Sequence, residues 1–493
     1  MTQPAILLLS EPGQTRVYVV LTILMLVPLV TSCDRREQQL DAAWSPPETF
    51  SSSREALNST FEIANLNGEP VCVDGSDYYF LGASGTNWTK KTFSSPVGIK
   101  DPLLLADPAS TRFILYYGEV QGGKLGSRSP RPKVLEGKLQ AKFVFCSMHP
   151  TMGIEKIYDR DLTLDSKELF GEIRRPGKEQ EVEKIFRQQY GPPLITPYMG
   201  GLGGGVILGE DVYMPYTVEC DAFYGSEKEV GGTGLPGQTG LLYSTGDHSH
   251  WTKLKLFDES TFEQGVFATH DNLYCFVKRI MIPDKKARGL WCARIPRAAN
   301  PQPVPERVAP TYRYDVFSKY SAVTDGETIH LVWLDDRHVS GGQLWALRTG
   351  TPDQVNLELY YRSRKDSATE WTKEVLLSKG LRFVFAPEMA VEGNNIVVVW
   401  SGYQKGYGEF CPSDIYFTTS RDGGKTWTAT ARATENAKLG LVSGRPRVAL
   451  HNGVIHLFYI QGQLEEHNVG AGLRLLNQSP WAIIYQHRLF ARG

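Results

Sequence analysis

Charged and phenolic side chains recur at two places in a repeating strand pattern, and these are the residues equipped for chemistry. Lys100 and Asp101, Glu263, Tyr320, Glu388, and Arg445 with Arg447 stand where an apolar strand begins. Glu119, Arg279, Asp335, Asp336, Arg337 and Tyr403 stand where its partner strand ends. Arginine forks match a carboxylate in bidentate fashion. Paired carboxyls can act as acid and base, or as nucleophile, on a glycosidic bond. A pocket of this make-up could grip an acidic or neutral sugar. The competing reading of any one of these residues is a rim ion pair that ties a loop to its strand.

Other chemistries lack their signatures. No G-x-S-x-G elbow is present for a serine hydrolase. "GGLGGG" leads into a strand and not a helix, so it is no phosphate loop. The 10 histidines show no ligand spacing, and no C-x-x-C pair occurs among the 7 cysteines, so neither metal nor cofactor is expected. A net charge of −1 with 22% charged residues argues against nucleic acid as a partner.

The elements that must position these residues are short strands. One unit recurs: a strand, a turn such as "DG", an apolar strand ending in Trp or Tyr, a long polar loop, a strand ending in Ser, and a Trp-bearing turn into a last strand. The clearest copies span 320–377 and 386–431; worn copies span 100–159, 203–257, 263–295 and 445–490. Six units of roughly 45–65 residues predict a six-bladed β-propeller, with five or seven blades as alternatives. Residues 69–93 read as partial strands that help complete the last blade. Val182, Ile185, Phe186 and Gln189 fall on one helical face, so 165–193 reads as a helical insertion or a plain linker. The long irregular segments all join second to third strands, which places them together on one face, where binding usually resides.

"SRDGGKTW", Ser420 to Trp427, is flanked by alternating β-branched and aromatic runs and reads as strand, turn, strand. Asp422 can accept bonds from backbone N–H groups, Gly423 and Gly424 supply positive φ, and Trp427 offers an apolar plate. Ser-x-Asp-x-Gly-x-x-Trp, formed by Ser420, Asp422, Gly424 and Trp427, resembles the Asp-box of the sialidase-like β-propellers, where it is a structural turn. "GGLGGGVILGEDVYMPYTVE" and "FEQGVFATHDNLYCFVKR" look like successive blades of that family. The resemblance implies a retaining glycoside hydrolase of terminal, possibly sialic, sugars. By it Glu263 would activate a Tyr nucleophile, with Tyr320 or Tyr403 as candidates, and Arg279 would help hold a carboxylate, with Arg445 as a further candidate. Asp101 would do acid/base work, and Lys100 stands in place of the first arginine of that family's Arg-Ile-Pro motif. Lysine loses the bidentate grip. "KDP" also resembles five-bladed furanosidase-type glycosidases, in which that Asp is catalytic. Lys100, Arg279, Arg337, Arg445 and Tyr403 are thus the candidate substrate contacts, and Glu263, Asp101 and Tyr320 the candidate catalytic residues. A non-catalytic propeller that binds glycan or protein on the same face is the alternative.

Residues 17–31 form an apolar run preceded by Arg16 and ending at Ser32-Cys33. It is short for a membrane span, and an uncleaved anchor helix is the alternative. "LVTSC" resembles a lipobox, in which Cys33 becomes the lipidated first residue. The expectation is a signal over 1–33, a flexible tether over 34–57, and a propeller over 58–493, held by its lipid at a bacterial cell envelope and acting as a monomer. Most remaining cysteines read as buried thiols, with Cys275 and Cys292 able to face each other across a strand pair.

Overall fold

The computed structural model describes residues 43–52, 61–66, 69–74, 77–82, 85–92, 103–106, 112–117, 134–135, 138–149, 153–165, 195–199, 204–220, 236–246, 248–259, 262–279, 287–297, 302–309, 320–335, 337–338, 357–381, 383–403, 412–463 and 481–490. These are strands and turns, with one short 3₁₀ helix at Asn436–Leu439. The apolar run 17–31, Cys33 and nearly all of the expected helical insertion, 165–193, lie outside the described residues.

Five sheets have four strands and a sixth has ten. The ten-stranded sheet contains two four-stranded meanders bridged by one parallel pair, Val206 with Ala106. Among the described residues the chain forms seven consecutive meanders, at 62–92, 103–165, 206–259, 262–309, 320–376, 383–432 and 441–489. Each inner strand touches the next, and the seventh touches the first. This closed ring of antiparallel fans is a β-propeller.

The expected count of six units becomes seven. Residues 62–92, read as partial strands, make a full sheet because Glu62–Leu66 supplies an inner strand. The last meander is completed instead by Glu48–Ser52, which runs antiparallel to Ala482–Leu489. Part of the expected tether is thus a structural strand. Its apolar residues explain why: Phe50 packs on Tyr79 at 4.2 Å and Phe458 at 4.9 Å between ring centroids, and Trp44 stands edge-on to Phe417 at 5.3 Å. Ser45 adds backbone and side-chain bonds to His487.

The second strands read as nearly unbroken apolar runs, such as Ile396 to Trp400 and Ile455 to Ile460, because both faces of each fan are covered by neighbours. Apolar clusters fill the seams between successive meanders, and the largest buried plates, Trp333 and Trp400, sit there. Cys275 lies opposite Ala293 and Cys292 opposite Phe276, and the two thiols point into different seams, so they do not face each other. Cys72, Cys275 and Cys292 are buried free thiols.

Candidate functional site

Strand register brings polar groups to equivalent places on the inner strands. Glu62 lies opposite Val73, Gly265 opposite Phe276, Ser321 opposite Val332, Glu388 opposite Val399 and Arg447 opposite Phe458. In the fourth, sixth and seventh meanders the register shifts just before this place, at 262–265, 385–388 and 444–447. Two of these bulges hold prolines, Pro387 and Pro446, which cannot donate to the ladder and so settle at bulges. The residues before them, Ala386 and Arg445, take positive φ of 48° and 47°. Such backbone is strained for a residue with a Cβ, more so ahead of proline. A bulge re-aims the side chain that follows it, here Glu388 and Arg447.

Arg447 is the centre of the resulting cluster. One guanidinium nitrogen donates to Glu388 Oε1 in a short ion pair. The second lies 3.8 Å from Glu62 Oε1, and Nε donates to the Phe61 carbonyl at 3.2 Å. Ser321 Oγ donates to the other oxygen of Glu388 at 3.4 Å. Four meanders, the fifth, sixth, seventh and first, are joined by these contacts. The side chains remain 26% exposed for Arg447 and 29% for each glutamate, so the cluster meets open space. Arg445 and Arg447 line a small hollow with Phe61, Tyr459, Ile460 and Ile483. Burial pushes the Glu62 carboxyl above its usual range, and the Arg447 charge offsets this only in part. Burial disfavours the Arg447 cation, but Glu388 and Glu62 more than compensate and its affinity for the proton rises.

The other expected site residues are placed as follows. Lys100, Asp101, Glu119 and Asp336 lie outside the described residues, as do the side chains of Glu263 and Tyr403. The backbone of Glu263 occupies the bulge that corresponds to Arg445. Tyr320 begins its inner strand, and its hydroxyl donates to the Phe276 carbonyl at 3.4 Å while its ring packs on Phe276. Arg279 is not gathered with the inner-strand cluster. Its guanidinium stacks on Trp291 at 4.5 Å and Phe257 at 4.9 Å, in the seam between the third and fourth meanders. Arg337 is held by Asp335 at 2.6 Å and Glu374 at 2.8 Å and lies over Tyr360 at 4.4 Å, the contacts of a group that ties a loop to its fan. Its bond to buried Asp335 is the main reason its proton is held more tightly than usual.

Glu62 was not among the expected site residues. Its signal lies in "FEIANL", where a charged residue opens an alternating run before the "EPVCVD" strand. Glu388 and Arg447 are legible as openers of inner strands, but their pairing follows only from ring geometry.

At the opposite end of the sixth meander, the Ser420–Trp427 turn is built by its own side chains. Gly424 N donates to Ser420 Oγ at 2.8 Å, and Ser420 Oγ donates to Asp422 Oδ1 at 2.9 Å. Thr426 donates to Asp422 through its amide at 2.8 Å and its hydroxyl at 2.6 Å. These bonds, the Thr426 hydroxyl first, pull the Asp422 carboxyl down to about 2. Trp427 stands edge-on to Tyr361 of the fifth meander at 4.8 Å. Its indole N–H donates to the Gly424 carbonyl at 3.1 Å. The turn therefore clamps a seam and presents no reactive group of its own.

No protein-family model matches the chain, and no curated protein matches it. Among solved structures the chain is similar to a Trypanosoma rangeli sialidase in complex with a difluoro-KDN compound, at 10% identity over 87% of this chain and 53% of that one, with a TM-score of 0.40. It is similar to an α-L-arabinofuranosidase from Podospora anserina in complex with cellotriose, at 12% identity over 59% and 91%, with a TM-score of 0.29. A thermostable family-43 glycoside hydrolase matches at 10% identity over 58% and 89%, with a TM-score of 0.30. The chain spans about half the length of the sialidase chain it matches. The propeller assignment rests on the ring of inner strands described above.

Proposed function

We propose that this protein is a propeller glycosidase that binds the end of a glycan at the inner rim of its ring. The observation that supports this reading is the Glu62–Arg447–Glu388 cluster, which spans three inner strands and stays about a quarter exposed beside a hollow that Arg445 also lines. Two carboxyls in unlike surroundings are the minimal equipment for general acid and base work on a glycosidic bond. Glu263, whose backbone lies in the bulge equivalent to Arg445, would be a further acid for this site, and Arg445, which lines the hollow, would meet an anionic sugar group. Asp101, Lys100 and Tyr403 belong to the same proposal. Sialic acid is the first substrate to try.

The test is turnover of a panel of aryl glycosides, sialosides included, by the purified protein, repeated with Glu388→Gln and Glu263→Gln. Turnover that drops at least 100-fold in Glu388→Gln supports the site. No turnover on any member of the panel would reject hydrolysis and favour a propeller that only binds glycan. Turnover untouched by both substitutions would reject the site.

We further propose that Cys33 bears a lipid that holds the chain at a cell envelope, because it closes an apolar run in a lipobox-like "LVTSC". Incorporation of a labelled fatty acid, abolished by Cys33→Ala, is the expected result.

A further inference from the structure

The Arg447 guanidinium donates from two of its nitrogens and turns the third toward a carboxyl. One donates to Glu388, one to the Phe61 carbonyl, and the third faces Glu62. Its two carboxyl neighbours are treated unequally. Glu388 takes a direct charge-assisted hydrogen bond from Arg447 and a second from the Ser321 hydroxyl, both of which favour its charged form. Glu62 stands 3.8 Å away, beyond hydrogen-bond reach. Among the described residues, the charges that face the cluster include Glu62 from the first meander, Glu388 from the sixth, and Arg445 and Arg447 from the seventh. Ser321 from the fifth and the Tyr459 phenol are uncharged neighbours.

We propose that Arg447 is a positioning residue that divides a single proton between the two glutamates: Glu388 is kept as the carboxylate and Glu62 carries the proton. This inference rests on the functional reading above for its consequence, since it makes Glu62 the acid and Glu388 the base of the pair. Burial, which raises Glu62, acts in the same sense.

The division of the proton can be measured without substrate. The protein is labelled with ¹³Cδ-glutamate, and the two carboxyl signals are assigned by their loss in Glu62→Gln and Glu388→Gln. The expected result is two separate midpoints, Glu62 above Glu388 by at least one pH unit, or about tenfold in proton affinity. In Glu388→Gln the guanidinium is freed toward Glu62, whose midpoint should fall. Arg447→Lys should keep the order of the two midpoints, and Arg447→Met should narrow their gap at least tenfold. Equal midpoints in the native protein, or the reverse order, would overturn the proposal; so would a Glu62 midpoint unmoved in Glu388→Gln. If Arg447→Met fails to fold, the Glu388→Gln titration still decides. Where a glycoside is turned over, the acidic limb of kcat/KM should follow Glu388 and the basic limb Glu62. Absence of turnover with the two midpoints intact would reject the hydrolase reading and leave the proton assignment standing.

Discussion

At Gly424 the backbone turns through φ of 87°, and a Cβ there would run into the Tyr361 phenol of the neighbouring meander. Strain and overlap act together, so Gly424→Ala should lower stability by about 2–4 kcal/mol, read from denaturant unfolding. Tyr361→Phe in that background should recover only part, because the ring carbons also lie within the overlap. The Thr426 hydrogen bonds pull the Asp422 carboxyl down from its ordinary 3.8 to about 2. The support it gives is complete above pH about 4 and is lost as pH falls through about 2. Because Asp422 is partly exposed, solvent screening holds that support to about 1 kcal/mol or less. Asp422→Asn should remove this acid limb by costing up to about 1 kcal/mol at neutral pH, with little change below pH about 2. His456 differs in weight. It is fully buried with Nδ1 2.9 Å from the Tyr485 hydroxyl, and burial, aided by His451 and His487, pulls it from 6.5 down to about 3. The folded protein keeps it neutral while the unfolded chain protonates it below pH 6.5. Stability should therefore fall as pH drops from about 6.5 to about 3, by a few kcal/mol in all. His456→Gln should flatten that slope in unfolding midpoints measured across the range.

Among the elements, Glu48–Ser52 is the one whose role depends wholly on a distant partner. It follows a run of polar residues and is five residues long, yet it supplies the outer strand of the seventh meander. Phe50 is its anchor, and Phe50→Ala should cost about 2–3 kcal/mol, less than a fully buried phenylalanine because Phe50 is only half-buried. The seam between the fourth and fifth meanders has a polar anchor. Asp366 accepts from the Asp271 amide at 3.0 Å, the Asn272 amide group at 2.7 Å and the Tyr274 hydroxyl at 2.7 Å. Asp366→Ala would leave these donors unpaired in a buried seam, and a loss of about 2–4 kcal/mol in unfolding free energy is expected.

For the molecule as a whole, closure is double. Glu48–Ser52 binds the last meander from outside, and Arg447 reaches Phe61 and Glu62 of the first meander from inside. The two contacts lie on either side of the short stretch 53–60. A ring closed at both edges should unfold in one transition. Removal of residues 43–52 should lower the melting temperature and expose the seventh meander's outer edge, which would show as concentration-dependent association.

The amino-acid sequence alone specified the kind of element and much of the repeat. Apolar runs such as "NIVVVW" and "TIHLVW" demand cover on both faces, and "SRDGGKTW" contains the Ser420, Asp422, Gly424 and Thr426 groups that bond one another in its turn, so local chemistry is enough to read them. Seven meanders in place of six, the strand within 34–57, and the union of Glu62, Glu388 and Arg447 were decided only in three dimensions. Those residues stand 59 or more positions apart, and nothing local tells Glu62 that its neighbour across the seam will be a cation. Arg279 and Arg337 show the converse: their spacing matches a binding role, but aromatic plates and buried carboxylates within reach claim their charges first.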